Sequence, residues 1–380
     1  MKIRTGLITI CILILSAASL SLQGCCIRTG FDFLTRDSNS NTGNFPDSAT
    51  SPETGSLKKT AIEDTSATVT GSDGPEDTAD TSDTSGTQTG QETGQSNGRS
   101  ANITISYFFD IQGSTNRIEF ITVIPDDYHL RQDVREIRFS IEPSEIYTSN
   151  YTKYAKFLFT GPANDFTLDI NIEMEIFDYD LENAIAAAAE GSAPALSSQD
   201  HLKYSSGEKN IDTGDPSIVS AAEKLNETDQ LKLTRQIYDF VLENLYYQGY
   251  NPGDCGAAGA LAKSGGDCTE YADLFVTLCR VKGIPARVIE GYTADAPPSE
   301  MPMGHNWSEA YIKGIGWVPF DCIFDDNNGD SAETTFYNLK DVYIYNSFVR
   351  NDPAMFGYHY FAYYYYGDEI SVEKSVTINS

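Results

Sequence analysis

Between Ala101 and about Tyr179, apolar and polar residues alternate in short runs separated by polar turns, at residues 103–109, 118–124, 134–141, 154–159 and 166–177. The last run is the clearest. Phe166, Leu168, Ile170, Ile172, Met174 and Ile176 share one face, and Asp169, Asn171, Glu173 and Glu175 share the other. A period of two with one apolar face predicts a strand buried on one side. Several such strands in one segment predict an antiparallel β-sandwich over residues 101–180.

The period then changes. Residues 181–189 read as a short Ala-rich helix and 191–215 as a loop, so 181–216 is a connecting segment. Helices are predicted at 217–225, 229–245 and Cys268–Val281. In the second, Leu233, Ile237, Phe240, Val241 and Leu245 form one stripe, and Thr228 or Asp229 can cap its start. In the third, Ala272, Phe275, Val276 and Cys279 point to one side. Strands follow at 284–292, 307–312 and 317–320. Helices followed by strands predict an α+β core, taken as 217–380. Its end is rich in aromatics. Residues 370–378 read as a strand, and alternating strand faces account for the run Tyr363–Tyr366 more simply than a peptide cleft does.

The first hundred residues follow neither period. Lys2 and Arg4 precede an apolar stretch from Ile8 to Leu22, which ends in Leu22-Gln23-Gly24-Cys25. This reads as a signal peptide over 1–25 with a lipobox-like end, which would leave Cys25 lipid-modified. Gln23 is unusual there, and Cys26 competes for the role. An ordinary cleaved signal peptide and an uncleaved anchor are the rival readings. Residues 26–100 are dominated by Ser, Thr, Gly, Asp and Glu. They cannot bury enough apolar area to offset their ordering entropy, so a disordered stalk is expected. Roughly 70 residues of coil would span on the order of 45–50 Å.

Charge narrows the partners. Asp plus Glu is 55 against 26 Lys plus Arg, a net charge of −29. Nucleic acid and anionic membrane surfaces would be repelled. Cysteines at 11, 25 and 26 belong to the export region. Cys255, Cys268, Cys279 and Cys322 remain. They are too few for a disulfide framework and lack zinc-ligand spacing, so neither metal nor cofactor is expected. A Cys255–Cys322 disulfide stays open at this stage.

One cysteine stands apart. Gly265-Gly266-Asp267 places Cys268 at the start of a helix, where unpaired N–H groups and the dipole favour a negative sulfur. Cys279, on the apolar face, reads as core. A thiolate nucleophile needs a base, and the base needs an orienting group. The histidines are His129, His201, His305 and His359. His305 precedes the strand 307–312. After the turn at Lys313-Gly314-Ile315-Gly316, the strand 317–320 ends at Asp321. A hairpin with that turn returns Asp321 beside His305. Arg280 and Arg287 read as partners for carboxylates and carbonyls within the fold. Asn102, Asn150, Asn226 and Asn306 each open an N-glycosylation sequon. A glycan on Asn306 would obstruct the proposed base.

Three blocks carry a resemblance: Gly266-Asp267-Cys268-Thr269-Glu270-Tyr271-Ala272, then Gly304-His305-Asn306-Trp307-Ser308-Glu309-Ala310-Tyr311, then Gly316-Trp317-Val318-Pro319-Phe320-Asp321. With Gly283-Ile284-Pro285-Ala286-Arg287 between them, the chain from about Ser217 to Cys322 resembles the core domain of the transglutaminase-like superfamily. That resemblance implies a papain-like cysteine protease fold and a triad of Cys268, His305 and Asp321. Two positions depart from the family pattern. Cys322 stands where proline is usual. Trp307 and Trp317 both follow the nucleophile, whereas the eukaryotic cross-linking enzymes hold the oxyanion with an upstream tryptophan. Tyr246 or Tyr247 is the expected substitute, with Trp307 a further candidate for oxyanion or substrate contact. Calcium dependence belongs to the eukaryotic branch and is not carried over.

The expected protein is therefore a cell-surface lipoprotein of α+β fold, its transglutaminase-like core preceded by a β-sandwich and a disordered stalk. It would act on peptide or protein amides through a thioester, with hydrolysis favoured. Protein cross-linking and a non-catalytic binding or scaffold module are the alternatives.

Overall fold

The computed structural model describes residues 98–192, 195–250, 253–294, 304–323, 336 and 338–379. The signal segment with Cys25, and the linker up to residue 97, lie outside the described residues. The linker's expected end at 100 is two residues late, because the first strand begins at Arg99.

Six strands come first: β1 (Arg99–Ile111), β2 (Thr115–Ile124), β3 (Gln132–Phe139), β4 (Glu145–Ser149), β5 (Thr152–Thr160) and β6 (Phe166–Ile176). The alternation does what it predicts. Leu168, Ile170, Ile172, Met174 and Ile176 of β6 are buried with Ala101, Ile103, Ile105, Tyr107 and Phe109 of β1. β4 had no signal, because it is an edge strand with little buried surface and no apolar face. β2 is buried on both sides. Ile118 and Phe120 face the sandwich core, while Ile121 and Val123 pack with Tyr154, Met355 and Ala362.

The chain then leaves the sandwich through β7 (Tyr179–Asp180), α1 (Leu181–Ala187) and α2 (Ser198–Ser205). α2 lies in the stretch expected to be a loop. Ser197 caps it, its hydroxyl accepting the Asp200 N–H at 3.0 Å. The helix was hidden because it buries only Tyr204 and so shows no apolar stripe. α3 (Pro216–Ala222) and α4 (Gln230–Asn244) follow, then β8 (Tyr246–Tyr247), α5 (Gly256–Lys263) and β9 (Gly265–Gly266). α5 escaped the sequence reading because Gly and Ala supply its packing surface. Gly256, Ala257 and Ala260 are its buried positions. α6 (Cys268–Val281) has the predicted limits and is buried from Glu270 through Arg280.

α6 packs on an antiparallel sheet of order β12–β11–β10–β14, made of β10 (Ala286–Thr293), β11 (Gly304–Ile312), β12 (Gly316–Phe320) and β14 (Tyr343–Ser347). A two-residue strand between them, β13 (Asn338–Leu339), pairs with β7.

The last two strands correct the expected domain boundaries. β15 (Phe361–Gly367) pairs with β2, and β16 (Ile370–Asn379) pairs with β1 along its whole length. The sandwich is therefore two antiparallel four-stranded sheets, β16–β1–β6–β3 and β15–β2–β5–β4. It does not simply precede the core, and 217–380 is not one domain. The sandwich opens, lets the core form, and closes with the C-terminal strands. Core and sandwich meet where Tyr292 and Ile344 enter the sandwich cluster.

Candidate active site

β8 and β9 pair in parallel, Tyr246 with Gly265 and Tyr247 with Gly266. The approach is close enough to require glycine. A Cβ on Gly265 would lie 2.6 Å from the Tyr246 carbonyl oxygen, and one on Gly266 2.4 Å from Glu270 Cβ. The chain then turns into α6 through a capping box. Asp267 accepts the Thr269 N–H at 2.9 Å, and Glu270 accepts the Asp267 N–H at 3.0 Å. Glu270 also accepts the Cys255 N–H at 3.1 Å. Burial, then the Asp267 charge, push the Glu270 carboxyl up to about 7. Cys268 is the first residue of the helix, among those whose N–H has no partner within it. It remains partly exposed.

His305 enters at the start of β11 and is buried. Its Nε2 lies 2.7 Å from Asp321 Oδ2, at the end of β12. The same oxygen accepts the Tyr343 hydroxyl at 2.7 Å, while Oδ1 accepts the Ile323 N–H at 3.2 Å. Tyr238 donates to the Asp321 carbonyl at 3.0 Å. With Nε2 engaged by Asp321, Nδ1 is left for Cys268, whose sulfur is near enough to raise the imidazole pKa. Burial alone would lower the imidazole pKa. The charge and hydrogen bond of Asp321, followed by those of Cys268, outweigh it and push His305 up to about 10. A shift in that direction favours the imidazolium at neutral pH. Trp307, two residues along the same strand face, stacks on the ring at 5.9 Å and 25°.

Of the three residues expected to form a triad, His305 and Asp321 are bonded directly and Cys268 lies near the imidazole. The auxiliary expectations divide. Tyr247 is half-buried beside Cys268, whose charge, after burial, raises its phenol. Tyr246, its neighbour on the opposite strand face, is 57% exposed. Trp307 is 1% exposed and cannot touch a substrate; it is the floor under His305. Cys279 is buried in the core, where burial drives its thiol well up. Cys255 and Cys322 are not bonded to each other, so the disulfide left open above is not formed between them. Arg280 bonds the Ala286 and Ser206 carbonyls and Glu208, and Arg287 is paired with Glu309 at 2.7 Å. Asn306 is buried and its amide donates to Thr269 at 3.2 Å, so the sequon there has no free acceptor.

Sequence reasoning missed Tyr343 and a second charged cluster. Arg350 pairs with Asp273 on α6 through Nε at 2.8 Å and Nη2 at 3.1 Å, and with Asp254 at 3.0 Å. His359 Nδ1 is bonded to Glu290. Burial pushes Asp273 up to about 6; His359 and Arg350 overcome the same effect at Asp254 and hold it below its ordinary range. No local pattern announces these contacts, because they join four separate segments. Among the described residues, no three His, Cys, Asp or Glu side chains are grouped to hold a metal ion.

Residues 219–322 match the model of the transglutaminase-like superfamily. The chain is similar to an uncharacterized protein of Haemophilus influenzae, with 29% identity over 220 residues, 50% of this chain and 59% of that protein. It thus spans about three fifths of the length of that relative. Its fold is similar to that of a candidate cysteine protease from Cytophaga hutchinsonii, with a TM-score of 0.54 and 18% identity over 75% of this chain and 91% of the other. The periplasmic domain of TgpA from Pseudomonas aeruginosa is matched with a TM-score of 0.34 and 11% identity, over 61% and 91% of the two chains.

Proposed function

We propose that this chain, whose residues 219–322 form a transglutaminase-like domain, is a thiol-dependent acyltransferase acting on peptide or protein amides. The observation that carries the reading is the 2.7 Å bond between His305 and Asp321, with Cys268 near the imidazole at a helix start.

In the forward step, Cys268 thiolate attacks the amide carbonyl. The oxyanion is met by the Cys268 N–H and by the Tyr247 hydroxyl. The His305 imidazolium gives its proton to the leaving amine, the C–N bond breaks, and a thioester remains. Water then attacks the thioester. His305 takes the water's proton, the C–S bond breaks and the carboxylic acid leaves. The thiolate–imidazolium pair returns with loss of a proton from the acid. Asp321 holds the imidazolium in both halves, and Trp307 fixes the ring plane. Hydrolysis is favoured over cross-linking because water needs no second docking site.

Iodoacetamide tests the reading. Cys268 should alkylate well below about pH 8, and C268A should abolish that labelling. Equal, slow labelling of Cys255, Cys268, Cys279 and Cys322 would support the non-catalytic scaffold reading instead. Ammonia release from amide substrates, with and without an added primary amine, followed by a search for amine-linked product, separates hydrolysis from cross-linking. The proposal extends to a cell-surface setting through a lipid on Cys25. Incorporation of a labelled fatty acid that is lost in C25A tests it.

A further inference from the structure

Tyr360 lies outside residues 219–322, at the entry to β15 of the sandwich, yet its phenol ends on the backbone that carries His305. Its own backbone is left-handed, with φ +64°. A residue with a side chain adopts that region at a cost, so something must hold it. Its N–H donates to Glu290 at 2.9 Å, and His359 holds the other Glu290 oxygen. Its carbonyl accepts the Val123 N–H and the Thr122 hydroxyl, both at 3.1 Å. The residue is thereby fixed to β2 on one side and to β10 on the other.

So held, the ring stacks on Tyr292 at 5.3 Å and 22°. The hydroxyl donates to the Gly291 carbonyl at 3.0 Å and lies beside the Gly304–His305 backbone. Gly291 and His305 face each other directly across the β10–β11 ladder. A single hydroxyl therefore holds Gly291, the partner of His305 in the rung that bears the imidazole, and packs against Gly304 at the start of β11. Burial, then Glu290, keep the phenol protonated, so it retains the proton it donates. Gly304 makes the seat, since a Cβ there would lie 2.3 Å from the Tyr360 hydroxyl oxygen.

We propose that Tyr360 is a positioning residue for His305: its hydroxyl fixes the start of β11 against β10, so that the sandwich sets how the imidazole meets Cys268. The inference rests on the acyl-transfer reading above. It gives the sandwich a part in the chemistry, through one contact. The charged and titratable groups around His305 are Asp321, Tyr343 and Cys268, with Glu290 and Lys374 behind Tyr360.

The test uses the full chain and Tyr360→Phe, which keeps the ring and removes the hydroxyl. The reading is the rate of Cys268 alkylation at about pH 6 relative to about pH 9, alongside Tm. Loss of the hydroxyl should lower that ratio about tenfold, because the imidazolium no longer stands squarely by the sulfur. Gly304→Ala displaces the phenol from its seat without altering it, and should lower the ratio too. Its effect should shrink in the Tyr360→Phe background. A purely structural tyrosine would lower Tm and leave the ratio unchanged, which overturns the inference. If wild-type Cys268 is not labelled in preference to the other thiols, the acyl-transfer reading itself fails.

Discussion

Tyr343 and His305 share one oxygen of Asp321, each at 2.7 Å. The two donors approach from different strands, β14 and β11, and both are buried. Tyr343 therefore draws on the same negative charge that stabilises the imidazolium. Tyr343→Phe should cost about 1.5–3 kcal/mol of stability, the usual worth of a hydrogen bond to a charged group. It should also raise the His305 pKa further, since Asp321 Oδ2 then loses a donor that competes with the imidazole. The measurements are denaturant unfolding and the high-pH limb of thioester formation, which should move upward. A limb that moves downward would show that Tyr343 supports the imidazolium rather than competing for its partner.

Asp321→Asn makes the opposite change. Asp321 is the main reason that His305 rises from its ordinary value to about 10. Without it, the high-pH limb of activity should fall by several units towards the ordinary histidine range, near 6.5. The stability effect has a definite sign. A histidine whose folded pKa lies above its unfolded one adds stability that is complete below about 6.5 and lost as pH rises through about 10. The Tm gap between wild type and Asp321→Asn should accordingly be widest near about pH 6 and narrow towards about pH 10. Melting curves at a series of pH values check it.

What was legible before the structure depended on distance along the chain. α6, with Cys268 at its head, is defined by a local cap and a local stripe, and its limits were readable to the residue. His305 and Asp321 are joined by a short hairpin, so their pairing followed from the turn. Tyr343 and Tyr360 reach the site from strands whose partners no local pattern names. β15 and β16 read as strands, but alternation does not say which sheet they join. Tyr246 and Tyr247 were equivalent in sequence. Only the pairing of β8 with β9 showed which one turns towards Cys268. The small residues of α5 left no trace, because glycine and alanine pack without a visible stripe.

The spacing of β10 and β14 turns on Gly291. A Cβ there would lie 1.9 Å from the Ile344 carbonyl oxygen and 2.6 Å from Trp307 Cη2. Neither neighbour is the free end of a flexible side chain. Gly291→Ala should cost about 3 kcal/mol or more, at the upper end for overpacked sites. Gly314→Ala is the control. There φ is +83° but nothing lies within 4 Å, so the loss should stay at about 1–2 kcal/mol. Urea unfolding of the two variants compares steric with conformational cost. Equal losses would mean that β14 shifts freely.

Lys374 breaks the inward face of β16, where Ile370, Val372, Val376 and Ile378 alternate with outward residues. Its Nζ lies 3.3 Å from the centre of the Tyr360 ring and 3.4 Å from the Tyr292 hydroxyl, and no carboxylate among the described residues pairs with it. Burial lowers its pKa to about 7, against the small opposing effect of Glu290. An unfolded lysine titrates near 10.4. Between about 7 and about 10 the unfolded chain therefore binds more protons at this site than the native one, and stability rises with pH across that window. Below about 7 the cost of the buried ammonium is fully present. Lys374→Met should raise Tm most near about pH 6, with the gain fading towards about pH 10. If Lys374→Met lowers Tm at every pH, the contact with the two tyrosine rings outweighs the desolvation of the amine, and the lysine stabilises the sandwich edge.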